Sequence, residues 1–156
     1  MMQKKADQLS LLKENINALK ESLNWLNRSY EICKAYKKLY DLPVEGMDAF
    51  ESFTSRFART TDLLFNKVFR GIAYLEEGEQ MTWLDTILFM EKTGIIDSSE
   101  EARIIKELRN DIVHEYVLKD IIPLFDEVTK ITPVLLQYSG NAIEYAKELE
   151  QKIRGK

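Results

Sequence analysis

Eight residues near the start of the chain recur at intervals of three and four without a miss: Leu9, Leu12, Ile16, Leu19, Leu23, Leu26, Tyr30 and Cys33. An α-helix turns once every 3.6 residues, so positions spaced this way fall on one stripe. A strand, with period two, would scatter them over both faces. The first proline is Pro43 and the first glycine is Gly46, so nothing interrupts the helix before them. A stripe this narrow packs against neighbouring helices at a shallow crossing angle. It serves either as a seam for a coiled-coil partner or as the core face of a bundle, and a core face is the commoner use in a chain of 156 residues.

The rest of the chain repeats that logic with different punctuation. "DLPVEGM" (41–47) ends the first helix, and Asp48 with Glu51 three positions on has the form of a capping box that starts the next. Phe50, Phe53, Phe57, Leu64, Val68, Ile72 and Leu75 give that helix an apolar face, closed by Gly78. Such a phenylalanine-rich stripe either lines a pocket or fills a core, the core being the usual use. A short helix runs from an N-cap at Thr82, with Asp85 at its third position, to Thr93, where Gly94 stops it. Ser98 with Glu101 opens a further helix, and a last one runs from about Asp120 to Ile153, kinked near Pro133. The expected architecture is all-α: an antiparallel up-and-down four-helix bundle with an additional short helix, in one domain spanning 1–156.

Composition narrows the chemistry. The net charge of −4 argues against broad nonspecific nucleic-acid binding while leaving room for a local basic site. A single cysteine and a single histidine exclude an internal disulfide and disfavour a zinc site, so no metal ligands and no cofactor are assigned. Cys33 continues the heptad stripe and has no activating base in view. No apolar run is long enough to span a membrane and no leader segment is evident, so the expected location is the cytoplasm. Arg56, Arg59, Lys67 and Arg70 lie on one helix, as a strip that guides RNA or as a solvated face. Trp25 and Trp83 suit base stacking or, more commonly, packing.

The lone histidine, His114, stands in "LRNDIVHEY" (108–116) near the end of its helix. The helix dipole and the nearby Asp111 and Glu115 favour the imidazolium, which suits both phosphate binding and proton transfer. At about 100° per residue, Asn110 shares a flank with His114 and Arg109 shares another with Tyr116. Arg109 and His114 lie about 140° apart on an ideal helix, so one helix cannot close both on one small group. Two copies of the helix about a two-fold axis can. The alternative is a solvated helix end with an aromatic lid.

"RNDIVHEY" (109–116) resembles the R-x4-H-x-Y signature of the HEPN superfamily, in particular HepT-like toxins. Its preface, "WLDTILFMEKTGIIDSSEEARIIKELRND" (83–111), and the downstream "KITPVLLQY" (130–138) are similar to that family as well. The resemblance implies a helical bundle that forms a homodimer across the motif helices, with a metal-independent endoribonuclease site shared between the copies. Arg109 would then hold the scissile phosphate and Asn110 would orient phosphate or imidazole. His114 would move the proton as the ribose 2′-hydroxyl attacks, leaving a 2′,3′-cyclic phosphate. The same family implies a partner, a nucleotidyltransferase antitoxin of the MNT type, which in some pairs transfers AMP to the motif tyrosine, here Tyr116. Related HEPN proteins are noncatalytic substrate-binding or accessory subunits of nucleotidyltransferases, and that is the alternative the resemblance carries.

Overall fold

The computed structural model of the chain describes residues 2–115 and 118–155, with Leu118 and Lys119 described by backbone alone. Its helices are α1 (Met2–Cys33), α2 (Val44–Asp62), a π-helical segment (Leu63–Phe69), α3 (Arg70–Glu77), α4 (Trp83–Lys92), α5 (Ser99–His114) and α6 (Leu118–Arg154). Helical backbone runs unbroken from α2 through the π segment into α3, so these three form one rod. With α1, α5, α6 and the short α4 this makes the expected all-helical bundle.

Contacts between named residues fix the topology. Along α1 and the rod, Ser29 meets Arg56, Ser22 meets Thr60 and Lys4 meets Tyr74. One number falls as the other rises, so the two run antiparallel. The rod and α6 run the same way, because Phe50 stacks on Phe125 and Glu76 binds Tyr145. Glu101 binds Tyr138, and further along α5, Leu108 and Asp111 flank a cleft with Glu127 and Lys130, so α5 opposes α6. The order is up, down, up, down.

All seven apolar residues expected on the second helix are buried. Phe50 and Phe125 stack at 4.6 Å between ring centroids, and Phe53 packs tilted against Phe50. Each such ring contributes about 1.5–3 kcal/mol by leaving water. The heptad stripe of α1 faces this core, although Leu23 and Tyr30 are only partly covered while Ser22 and Ser29 are buried. Those serines are satisfied across the interface: Ser22 Oγ shares a 2.7 Å hydrogen bond with Thr60 Oγ1, and Ser29 Oγ accepts one from Arg56 Nη1. Cys33 is buried too, and burial pushes its thiol up to about 11, so no nucleophilic thiolate is held at neutral pH.

Two capping expectations need correction. The second helix starts at Val44 rather than Asp48, with Pro43 as its N-cap in an extended conformation and no side-chain cap. Proline's fixed φ suits helix entry, and it needs no amide hydrogen there. Gly46 is not a break: a Cβ there would lie 3.1 Å from both Leu42 Cδ2 and Tyr36 Cε1, so the glycine permits a close approach inside the first turn. At α5, Ser98 Oγ does accept from Glu101 N, 3.2 Å away. The Glu101 carboxylate, however, takes the hydroxyl of Tyr138 on α6 instead of returning to Ser98, so only half of the capping box forms.

The π segment had no signature in the sequence. Thr60 Oγ1 donates to the Arg56 carbonyl just before it, a side-chain bond that competes with regular helix geometry. Two adjacent apolar pairs, Leu64–Phe65 and Val68–Phe69, are buried along the segment. Both Pro123 and Pro133 lie within α6. Among the described residues no helix is long and apolar enough to cross a membrane.

Candidate active site

The phase of α5 is set at its start. Ser98 caps it and Ala102, Ile105 and Leu108 are buried, so the opposite flank carries Arg103, Glu107, Asn110 and His114 toward solvent. Arg103 on that flank is not available for a substrate anion, because Glu100 and Glu107 both bind it. Helical geometry ends at His114, which is exposed, and Glu115 is extended. The unpaired carbonyls of the last turn surround the imidazole with partial negative charge. Among the described residues His114 has no hydrogen-bond or ion-pair partner.

Arg109 is placed differently. It lies on the edge of the buried face, half-buried, and is gripped by Asp62, the last residue of α2. Nε donates to Oδ1 at 2.8 Å and Nη2 to Oδ2 at 2.9 Å, a bidentate fork. Nη1 donates to Asn110 Oδ1 at 3.2 Å. A guanidinium carries five N–H donors, so among the described residues two are left without a partner, one on Nη1 and one on Nη2. A single phosphate fits two parallel donors. The carboxylate offsets much of the arginine's charge, but it also fixes where those remaining donors point.

Of the expected site residues, Arg109 and Asn110 are therefore brought together, while Arg109 and His114 are not joined within one chain. The separation of Arg109 from His114 follows from the helical angles, whereas the Arg109–Asn110 bond reaches from one flank to the next. Tyr116, the expected AMP acceptor, lies outside the described residues. Asp62 was not legible beforehand: it stands 47 residues from Arg109, and no spacing rule links them. Beside it, Thr61 Oγ1 is the one buried side-chain polar atom among the described residues without a hydrogen-bond partner.

The basic strip proposed along the rod divides. Arg56 is spent on Ser29 and on the ring of Trp25, 4.9 Å away, whereas Arg59 and Lys67 are exposed. Trp83 packs against Phe65 and is covered by Lys106 Nζ, 4.1 Å from its ring centre. Among the described residues no group of three or more His, Cys, Asp or Glu side chains is arranged to hold a metal ion. No family model, curated protein or solved structure matches this chain.

Proposed function

We propose that the chain is a HepT-like endoribonuclease toxin that works as a homodimer, with Arg109 from one copy and His114 from the other closing on one phosphodiester. The observation that carries this is the division of labour on α5. A pre-aimed guanidinium sits on one flank and an exposed imidazole on another, and neither can complete a site alone. Val113, exposed beside His114, gives a second copy apolar surface to cover.

In such a site the free Nη1–Nη2 edge of Arg109 would hold the two non-bridging oxygens and stabilise the charge that builds on them. His114 would take the proton from the ribose 2′-hydroxyl as its oxygen attacks phosphorus. The bond to the 5′-oxygen breaks and that oxygen takes a proton from water, leaving a 2′,3′-cyclic phosphate and a 5′-hydroxyl. Asn110, holding Arg109 through its Oδ1, keeps its amide group free to donate. A nucleotidyltransferase partner that adds AMP to Tyr116 would add a phosphate two residues along the chain from His114 and exclude RNA by charge and bulk.

The test is cleavage of total RNA by the purified chain. His114→Ala should lower cleavage by about two to four orders of magnitude, the usual contribution of a positioned acid–base group, with the fold unchanged by circular dichroism. Wild-type protein that leaves RNA intact overturns the proposal. One observation favours a second reading, a noncatalytic subunit that binds a nucleotidyltransferase: the Asp62 carboxylate already satisfies half of Arg109. That reading expects the wild type to bind the transferase and cleave nothing.

A further inference from the structure

A separate feature lies on the other side of the rod. Between α1 and the π segment runs a cleft of about 210 Å³. Its walls are unusual for a chain with more acids than bases: none of its lining residues is Asp or Glu. Two are cations, Lys67 and Arg70, and four are carboxamides, Gln8, Asn15, Asn66 and Gln80. The whole chain has only twelve Asn and Gln residues, so a third of them meet here.

The cleft is built by the backbone. Gln8 and Asn15 are seven apart and share one face of α1. Opposite them, the wide π turn carries Asn66 and Lys67 outward, both exposed. π-helical turns cost hydrogen-bond geometry and recur at functional sites. At the floor, Gly71 lets its helix pack closely on α1, since a Cβ there would lie 3.1 Å from Leu12 Cδ1. Gly78, at φ 79°, turns the chain back so that Gln80 closes one end. Tyr74 adds a hydroxyl, with Lys4 Nζ 5.7 Å from its ring centre as a third nearby cation.

The cations are not consumed by the fold. Among the described residues Lys67 has no carboxylate partner, and Arg70 uses only Nη1, on the carbonyl of Met81 at 3.3 Å. Some other cations of the chain are paired with carboxylates, as in Lys13–Glu150, Lys130–Asp126 and Arg154–Glu150. A concave surface rich in N–H donors, positive and free of carboxylates, is complementary to phosphate oxygens. Carboxamides can also accept, which suits a hydroxyl or base edge attached to the phosphate.

We propose that this cleft binds a phosphoryl group, carried either by a small phosphate ester or by a polynucleotide backbone, with Lys67 and Arg70 as its charged anchors. The site stands whether or not Arg109 and His114 cleave RNA. The test is a titration of ¹⁵N-labelled full-length chain, followed through side-chain amide resonances. Three probes are used: inorganic phosphate, AMP and a short oligouridylate. Saturable shifts of the Asn15, Asn66 and Gln80 amides are expected, and Lys67→Gln and Arg70→Gln should each weaken binding about tenfold, the worth of one charge-assisted hydrogen bond. Lys130→Gln, on α6, should leave it unchanged.

AMP or inorganic phosphate binding as tightly as the oligonucleotide assigns the site to a small ester. Shifts from the oligonucleotide alone assign it to a nucleic-acid backbone. Absence of saturable shifts with all three probes overturns the proposal, as does binding that survives both substitutions. The two variants change exposed or half-exposed side chains, so their folding is checked by the unchanged remainder of the spectrum.

Discussion

The interface between α1 and the rod and the last turn of α5 use the same kinds of side chain to opposite ends. Along the interface, Ser22, Ser29, Thr60 and Arg56 bind one another and Arg56 covers Trp25. Each of these donors finds an acceptor within the chain, although the neighbouring Thr61 Oγ1 is buried without one. At the end of α5, Arg109 is held on one edge with its other edge open, and His114 faces solvent. A buried hydrogen bond contributes only about 1 kcal/mol, but leaving its partner unpaired costs about 1–3 kcal/mol. Folding therefore consumes most of the polar chemistry that it buries. What remains unconsumed at the surface, in a fixed orientation, is what the molecule has left for function.

The contrast can be broken from either side. Phe50→Ala removes a fully buried ring that stacks on Phe125. It should lower unfolding stability by about 3–5 kcal/mol, measured by urea denaturation. Any RNA cleavage by the protein that stays folded should persist, because no site residue touches that ring. A loss of activity larger than the loss of folded protein would show that core and site are coupled.

Asp62→Asn works in the other direction. The pair it breaks is partly exposed, at 29% and 40% of the two side chains, so its loss should cost under about 1 kcal/mol of stability. Arg109 would lose its anchor, and cleavage should fall by more than the stability change explains. A variant with more activity than wild type would instead mark Asp62 as a competitor for the phosphate.

A further effect is expected in alkali, and it belongs to the interior. Burial holds the Cys33 thiol at about 11 against an ordinary 9.0. Burial, and then the Glu76 carboxylate, hold the Tyr145 hydroxyl at about 12 against 10.0. Both groups lose their protons more readily when unfolded. Their stabilising effect is therefore complete below pH 9.0 and is lost as pH rises through about 11 for Cys33 and about 12 for Tyr145. Thermal unfolding followed from pH 8.5 to 11.5 should show a falling midpoint, with a shallower fall in Tyr145→Phe. A midpoint that does not fall over this range would contradict the burial of Cys33.

What the sequence made legible follows the same division. Periodicity exposes whatever repeats along one helix, and so the four long elements, the seven-residue apolar face and the helix end at His114 could all be read. Glycines at 78 and 94 stopped helices because both adopt left-handed backbone, at φ 79° and 82°. Gly46 misled because its role is close packing against Tyr36 and Leu42, in the connection that precedes its helix. Asp62 and the π segment were invisible for the same reason: each depends on what the rod meets across space. The angular separation of Arg109 and His114 was legible because it is a property of one helix alone.

The central claim is that Arg109 and His114 act from different copies of the chain. Complementation tests it most directly. Arg109→Ala and His114→Ala proteins, each inactive alone, are unfolded together and refolded as a mixture, and RNA cleavage is measured. A two-fold pair shares its sites between copies, so mixed pairs contain one site with both groups intact and one with neither. About a quarter of wild-type activity should return at equal mixing, from random pairing. A mixture as inactive as its components would contradict the account.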